Sequence, residues 1–492
     1  MLRTVNKLAV VGGGTAGFVA ALILKTKFPN MHIDVIRSSK IGIVGVGEGS
    51  TEHWTNFTDF VGLDYTTVVK ECDATFKSGI MFKDWGKKDY LQSIGYGFNL
   101  KHQRYPYIYA HLISQGVDPK DLVSEHAWDS KVNTWFIGQE ERKPVVQFHF
   151  NTNKLNEFLT KESINRGINV IDDEILDITF NQQGEIDTLL GQRQQYDYDF
   201  YIDSTGFSKF LISKLGAKWR SHGQYLKMKS AIVFPTEPDE DIPMWTLSRA
   251  MDAGWLFRIP VWGRYGNGYI FDSDYITADQ AKQEAEAYLG REIEIGKQIN
   301  FDPGALDKCW IKNCCAIGLS ASFVEPLEAS SIGTSIQQAF LLAEKLTNYN
   351  DAVIKKYNES IESIIDNIRD FLVLHYITDK ESSQFWKDLK TSQIPDSLAD
   401  KLDMWRHKLP TAEDFNKESD FILFSEFHHI LVLYGLGLID HNSIKNEYMN
   451  YVHPDKQLEA QRIIDTEIKI RCQTIPHKTM LEVLRNIRNE NY

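Results

Sequence analysis

The sequence predicts an α/β protein in which an antiparallel sheet is interleaved with a dinucleotide-binding domain and a helical C-terminal region follows. Three observations lead to this fold class. A short apolar strand at residues 7–11 runs directly into a glycine-rich turn and a helix of small residues. Between about 222 and 275 the apolar residues alternate as they do in strands. From about 334 onward they recur with a helical period.

The glycine-rich turn reads GGGTAG, which is the spacing G-x-G-x-x-G between a strand and a helix. Gly12 is expected to make the tight turn, Gly14 to let a pyrophosphate approach the backbone, and Gly17 to let the helix pack closely on the strand. Thr15 and Ala16, in the first turn of the helix, would offer unpaired N–H groups to the phosphates. This turn therefore predicts a dinucleotide cofactor.

The remaining elements are predicted from periodicity and turn residues. They are a second strand at 31–37, strands within 168–190 around a turn at 181–184, a strand at 196–202, a hairpin around 263–268, and late helices separated by Pro395, Pro410 and Pro476.

The change of period near 334 sets the domain boundaries. We predict a cofactor-binding domain over 1–345, which includes an interleaved substrate sheet at about 85–150 and 222–300. A helical region over 346–492 would enclose the substrate. The sequence contains no internal repeats and no low-complexity tract.

Composition excludes several classes of partner. A formal net charge of -13 argues against nucleic acid and anionic membranes, and no apolar run resembles a signal peptide or a membrane span. The five cysteines lack C-x-x-C spacing, which is typical of reduced thiols in a cytoplasmic protein. His149 and the pair His428-His429 have no acidic or cysteine neighbours at metal-ligand spacing, so we predict no metal site.

The end of the second strand bears on which dinucleotide is bound. An acidic residue is expected there to bind a ribose hydroxyl, but the sequence has Arg37. An arginine favours a 2′-phosphate and hence NADP, whereas a single glycine loop with later turns at Asp203 and Gly318 fits one large FAD better. We predict FAD, with all three of these residues among its contacts.

Six ordered motifs resemble the flavin-dependent halogenases of the tryptophan-halogenase type. The first is the GGGTAG turn. The others are GVGEGST at 45–51, FKSGI at 76–80, GWLFRIP at 254–260, GL at 318–319 with FVEPLE at 323–328, and RDF, HY and FW between 369 and 386. The resemblance covers most of the chain and thins after about 410.

The resemblance implies a Rossmann-like FAD-binding domain of the aromatic-hydroxylase flavoprotein type. In that family FAD, supplied reduced by a separate flavin reductase, and oxygen oxidise a halide ion to hypohalous acid. The acid passes through the protein to a separate chamber, where a lysine and a glutamate direct it to an electron-rich aromatic carbon. Lys77 matches that lysine and Glu328 that glutamate.

Other site residues are also implied by the resemblance. The segment that links the flavin and substrate sites matches Glu48 and Thr51, and Gly47 and Glu48 are also expected to contact the cofactor. The halide site matches Ser330 and Ser331, and the wall between the two sites matches Trp255 and Phe257. The family sequence after the glutamate is Ser-Thr-Gly, but this chain has Ala-Ser-Ser. We therefore expect bromide or iodide to be accepted at least as well as chloride.

The substrate is expected to be a small indole- or phenol-like aromatic compound. The segment that encloses free tryptophan in the family is not recognisable around 424–438, so we do not expect free tryptophan to be the native substrate. Five aromatic residues are candidates for the pocket wall, namely Tyr96, Phe98, Tyr105, Tyr107 and Tyr109. A homo-oligomer is expected.

Each site residue also has a structural interpretation. Without the family motif, Lys77 would be interpreted as an ordinary surface lysine, because buried unpaired lysines are rare. Glu328 is in a position to cap the following helix. Trp255 would be interpreted as a residue that packs in the hydrophobic core. The HY motif, His375 and Tyr376, is interpreted as structural. Two other functions fit the flavin motifs: a single-component FAD aromatic monooxygenase and a non-catalytic flavin-binding protein.

Overall fold

A computed structural model describes residues 4–43, 48–93, 106–118, 125–134, 147–415, 422–471 and 474–486. Its strands are short and fall into separate sheets. They are β1 Lys7–Val11, β2 His32–Arg37, β3 Glu48–Gly49, β4 Thr75–Lys77, β5 Gly79–Lys83, β6 Tyr90–Ser93, β7 Lys131–Asn133, β8 Gln147–Phe150, β9 Asn169–Asp172, β10 Ile175–Phe180, β11 Ile186–Gly191, β12 Gln195–Tyr196, β13 Phe200–Asp203, β14 Trp219–Ser221, β15 Ser230–Thr236, β16 Trp245–Met251, β17 Gly254–Val261, β18 Arg264–Phe271, β19 Lys297–Asn300, β20 Gly304–Leu306, β21 Trp310–Ile311, β22 Cys314–Ala316, β23 Ser322–Phe323 and β24 Thr474–Pro476.

The helices include one of 25 residues in the C-terminal third. They are α1 Thr15–Lys27, α2 His53–Val61, α3 Tyr65–Glu71, α4 Pro106–Ser114, α5 Glu125–Trp128, α6 Thr152–Asn165, α7 Phe210–Lys214, α8 Ala278–Leu289, α9 Ser330–Lys345, α10 Asp351–His375, α11 Gln384–Leu389, α12 Asp396–Trp405, α13 Glu426–Gly435, α14 His441–Tyr451, α15 Pro454–Arg471 and α16 His477–Asn486.

A six-stranded sheet in the order β21-β22-β13-β1-β2-β9 forms the predicted dinucleotide-binding unit. Strands β22, β13, β1, β2 and β9 run parallel. Apolar residues fill β1 because both of its faces are covered, as is usual in parallel sheets. The glycine turn lies at the carboxyl ends of these strands, where open α/β sheets bind their ligands.

A seven-stranded sheet in the order β19-β15-β18-β17-β16-β5-β6 forms the second layer. It is antiparallel except where β5 pairs with β16. One face packs against α8 through Leu256, Tyr269 and Phe271, and the opposite face, with Phe82 and Trp255, joins the main core. This sheet takes its strands from 79–93 and 230–300, so it starts earlier than predicted and does not include β8.

A small third sheet has the strand order β3-β8-β4. Strand β4 carries Lys77, and β3 follows the second glycine cluster of the sequence. The C-terminal end of the chain returns to this region, because β24 pairs with β7 and α16 packs on α3. A residue near the C-terminus, His477, accepts a hydrogen bond from the backbone N–H of Phe76 at 3.0 Å.

The fold class predicted from the sequence is confirmed, and one local prediction is wrong. The predicted strand at 196–202 is interrupted, and β12 pairs with β11 while β13 joins the six-stranded sheet. The hairpin near 263 is present, but its turn is only Trp262-Gly263, and β18 already begins at Arg264. Two-residue turns suit the twist of a hairpin.

Candidate active site

The glycine turn forms a tight cradle. A methyl group at Gly12 would lie 2.1 Å from the carbonyl oxygen of Ser204, and one at Gly17 would lie 2.2 Å from the carbonyl oxygen of Gly12. Gly12 also has a φ of 115°, which favours glycine. No atom lies within 4 Å of the methyl position at Gly14, so its backbone faces open space. The turn thus has the close packing and the open backbone that a bound pyrophosphate requires.

Two further predicted cofactor residues lie beside this cradle. A methyl group at Gly318 would lie 2.5 Å from the Cβ of Ala16, so the two turns touch. The Asp203 carboxylate is buried and accepts hydrogen bonds from the backbone N–H groups of Leu211 and Ile212, and from Thr205. Asp203 therefore holds the turn after β13 with its side chain.

Arg37 lies at the end of β2, as the sequence predicts, and its aliphatic carbons cover Gly13, where a methyl group would lie 2.7 Å from the Cβ and Cδ of Arg37. Its guanidinium is 3.5 Å from the hydroxyl of Thr160. The prediction for Gly47 lies outside the described residues. For Glu48 only the backbone is described, and it pairs with Phe150.

Lys77 is fully buried, which overturns its interpretation as a surface lysine. Its Nζ donates a hydrogen bond to the carbonyl oxygen of Ser50 at 2.9 Å. Burial lowers the pKa of Lys77 to about 8, and the charge of Glu328 partly opposes that shift. A lysine amine that is desolvated in this way exchanges its proton near neutral pH.

Glu328 is also fully buried and lies in a single 3₁₀ turn, Pro326–Glu328, directly before α9. The next residue, Ala329, has a φ of 50°, a left-handed conformation that is rare for alanine. A methyl group at Gly49 would lie 3.2 Å from the Cβ of Ala329 and 3.3 Å from the Nζ of Lys77. The strained turn and the lysine therefore meet at Gly49.

Glu328 does not cap α9, because neither of its carboxylate oxygens has a hydrogen-bond partner among the described residues. Its Oε1 lies 2.8 Å from the Nε2 of His375, without hydrogen-bond alignment. The Glu328 charge also acts on Tyr90, whose pKa is raised mainly by burial and further by this carboxylate. The sequence interpretation of His375 as purely structural missed this contact.

A small cavity of about 10 Å³ lies at the start of α9, with room for about one water-sized particle. Ser330 and Ser331, the residues predicted for the halide, line it together with Gly318 and Val324. Ala329 has no side-chain oxygen to cap the helix, so the first N–H groups of α9 are available to an anion. Through Gly318 this cavity adjoins the glycine cradle.

Trp255 and Phe257 lie on the same face of the seven-stranded sheet, with ring centroids 6.0 Å apart. The Trp255 indole is close enough to the Glu325 carboxyl to act on its pKa, which it lowers. Near it, Tyr376 donates a hydrogen bond to Glu325, a buried carboxyl whose pKa is raised to about 7 by burial. Sequence reasoning missed this carboxyl because it treated Glu325 only as part of a motif.

His149 is buried and near Lys77, and its ring nitrogens contact the hydroxyls of Thr75 and Thr246 at 3.2 and 2.9 Å. Within the described residues no cluster of three or more metal-ligating side chains occurs.

None of the helices that the structure describes is long and apolar enough to cross a membrane. The four described cysteines are buried and free. Of the five aromatics proposed for the pocket, Tyr96, Phe98 and Tyr105 lie outside the described residues.

The glycine cradle, the buried lysine and the buried carboxylate are the features that the resemblance to flavin-dependent halogenases predicts. The sequence model of the tryptophan halogenase family matches residues 7–448. The chain therefore belongs to the tryptophan halogenase family, and it is an enzyme of the flavin-dependent halogenase type.

Individual relatives agree with this assignment. The chain is 31% identical to a 7-chloro-L-tryptophan 6-halogenase from Kutzneria sp. (strain 744), over 82% of this chain and 86% of the relative. It is 29% identical to a tryptophan 6-halogenase from Streptomyces toxytricini, over 89% and 90% of the two chains. The crystal structure of a tryptophan halogenase from Shewanella frigidimarina superposes with a TM-score of 0.88 at 25% identity, over 98% of both chains.

Proposed function

We propose that the protein binds FAD, receives it reduced from a separate reductase, and halogenates an electron-rich aromatic substrate of the indole or phenol type through Lys77. The observation that carries this proposal is a fully buried lysine whose pKa is affected by the charge of a fully buried glutamate. A flavin monooxygenase has no need for this lysine. When bound, the reduced flavin and oxygen supply the oxidation of a halide to hypohalous acid.

The chain's own residues fit the other steps of the proposed reaction, which are cofactor binding, halide binding and the exclusion of water. The cradle at Gly12, Gly14 and Gly17 fits a pyrophosphate, and Arg37 lies where it can approach the ribose end of the cofactor. The cavity at Ser330 and Ser331 fits a halide near the cradle. The mainly apolar surroundings of Trp255 exclude water along the path of hypohalous acid, which would otherwise be lost to side reactions.

Lys77 and Glu328 complete the reaction in this proposal. The Lys77 ammonium donates a hydrogen bond to hypohalous acid and makes its halogen more electrophilic. The halogen–oxygen bond breaks as the aromatic carbon takes the halogen, and the hydroxide takes a proton from the Lys77 ammonium and leaves as water. Glu328 accepts the ring proton as aromaticity is restored, and the Lys77 amine regains its proton from solvent. Burial strengthens both interactions because the local dielectric constant is low.

The function is tested with purified protein, FAD, a flavin reductase and its nicotinamide cofactor, with chloride, bromide or iodide, and a panel of indoles and phenols analysed by mass spectrometry. Halogenated product that requires both the reductase and the halide is expected. A hydroxylated product, or turnover without halide, would support the monooxygenase instead. Flavin binding with no product on any substrate would support the non-catalytic alternative.

Halide choice gives one prediction. Because serines replace the threonine and glycine of the family at Ser330 and Ser331, and bromide is easier to oxidise than chloride, we expect equimolar bromide and chloride to yield at least as much brominated as chlorinated product. The ratio is read from the isotope pattern in the mass spectrum. A strong excess of chlorinated product contradicts the prediction.

The pH dependence gives another prediction. The ammonium form of Lys77 predominates below its pKa of about 8 and is lost above it. If the ammonium acts as the hydrogen-bond donor, the halogenation rate is constant below that pH and falls as the pH rises through it. Single-turnover rates with excess reduced flavin separate this step from flavin reduction. A rate that rises through pH 8 would assign the reaction to the free amine.

A further inference from the structure

The contact between Glu328 and His375 carries an inference that rests on the proposed function and extends it. We propose that His375 is a positioning residue that holds a proton as an imidazolium and thereby keeps the buried Glu328 a carboxylate. A buried carboxyl without a cationic partner takes up a proton and is then no base. His375 would supply a counter-charge in addition to the Lys77 ammonium.

The hydrogen bonds of the ring settle where its protons are. The Nδ1 of His375 lies 2.8 Å from the carbonyl oxygen of Phe371, which only accepts, so Nδ1 carries a hydrogen. The Nε2 is then left facing the Glu328 Oε1 at 2.8 Å. Two lone pairs would repel at this distance, and two hydrogens would collide. The pair therefore carries one proton, although the two atoms are not aligned as a hydrogen bond.

Three features of the fold place that proton on the histidine. His375 is the last residue of α10, where the negative end of the helix dipole favours a cation. Its ring centroid lies 4.8 Å from those of Phe82 and Phe371, within the range of cation–π attraction. The carboxylate of Glu328 is the third favourable partner.

The other titratable groups that face the pair are compatible with this arrangement. Lys77 and Tyr90 face Glu328, and the lysine ammonium also favours its carboxylate form. His429 faces His375, and burial lowers the pKa of His429 to about 3, so it stays neutral and does not repel an imidazolium.

The proton balance of the last chemical step follows. The ring C–H bond breaks, its electron pair returns to the ring, and the proton forms an O–H bond on Glu328. The His375 proton stays on Nε2 throughout that step. The Glu328 proton is lost afterwards to water or product, which restores the carboxylate.

Infrared difference spectroscopy tests the charge state without any turnover. The wild-type protein minus Glu328→Gln should show no carboxylic acid band from Glu328 at neutral pH. The His375→Gln variant should show that band, and the double variant should lose it. Because Glu325 is present in every protein, its own contribution cancels. An acid band from Glu328 in the wild-type protein would overturn the proposal.

Kinetics give an independent readout. In single turnovers with the best substrate of the panel and its ring-deuterated form, the wild-type rates should be equal, because loss of the ring proton is fast. His375→Gln should react roughly 10²-fold more slowly, with an isotope effect well above unity. Its FAD affinity and circular dichroism should match those of the wild type.

His429→Gln is the matched control, since His429 is equally buried and packs on the same Phe371 ring, 4.7 Å away, without contacting Glu328. It should show no isotope effect and an unchanged pH profile.

If His375→Gln behaves like this control, the positioning role is wrong although halogenation stands. If the wild-type protein makes no halogenated product, the proposed function fails, and the infrared comparison still decides the charge state. If His375→Gln does not fold, the comparison of the wild type with Glu328→Gln decides it alone.

Discussion

Replacing Lys77 by Ala or by Met should abolish halogenated product, a loss of at least about 10²-fold, while FAD still binds. The lysine is fully buried, and its Nζ donates a hydrogen bond to the Ser50 carbonyl, so its ammonium is held at a fixed place in the core. Met is the more informative change because it keeps most of the side-chain volume and leaves no cavity. Product is measured by mass spectrometry, and FAD binding by the quenching of flavin fluorescence.

The control for this experiment is Lys83→Met. Lys83 follows on the neighbouring strand β5 and is only partly buried, with its Nζ 5.9 Å from the centroid of the Trp245 ring. It should retain full activity. A chemical trap for hypohalous acid adds a second readout, because the Lys77 variants should still release the oxidant. Full activity in Lys77→Met would remove the lysine from the mechanism.

Alanine substitutions in the glycine turn should separate folding from cofactor binding. At Gly12 the new methyl group meets the Ser204 carbonyl oxygen at 2.1 Å and the positive φ adds strain, so Gly12→Ala should lower the free energy of unfolding by about 1–3 kcal/mol or more. At Gly14 the methyl position is open. Gly14→Ala should therefore leave stability within about 0.5 kcal/mol of the wild type.

The same Gly14→Ala variant should lose FAD affinity about tenfold or more, equivalent to about 1.4 kcal/mol, because its methyl group takes the space that a pyrophosphate needs. Thermal unfolding and fluorescence titration measure the two quantities separately. Unchanged affinity in Gly14→Ala would mean that the phosphates do not approach this backbone. Unchanged stability in Gly12→Ala would contradict the packing of the turn on Ser204.

Local patterns in the sequence were sufficient for the cofactor half of the molecule. The glycine turn, β1 and β2 are short-range features, and Gly318 was recognisable as a turn although its contact with Ala16 was not. The prediction of one strand at 196–202 was wrong because the alternation of apolar and polar residues does not show that a chain leaves one sheet for another. That outcome depends on partners such as Leu189 for Tyr196 and Leu8 for Phe200.

The site around Lys77 and Glu328 was less predictable because it is assembled from distant segments. Lys77 and Glu328 were found through family motifs, and neither periodicity nor composition distinguishes them from surface residues. His375 was seen as part of a motif, but its contact with Glu328 joins the end of a long helix to a 3₁₀ turn. No local rule predicts such a meeting, because it depends on how α10 packs.

The hydrogen bond between Phe76 and His477 bears on how the enzyme is made in the cell. The two residues are 401 positions apart, and Phe76 directly precedes Lys77. The ring of His477 also bonds the Ile242 carbonyl through Nδ1, which leaves Nε2 free to accept. A ribosome adds about 5–20 residues per second, so the strand that holds the lysine waits many seconds for its last support. The nascent chain would thus contain its glycine cradle long before the contact between Phe76 and His477 can form.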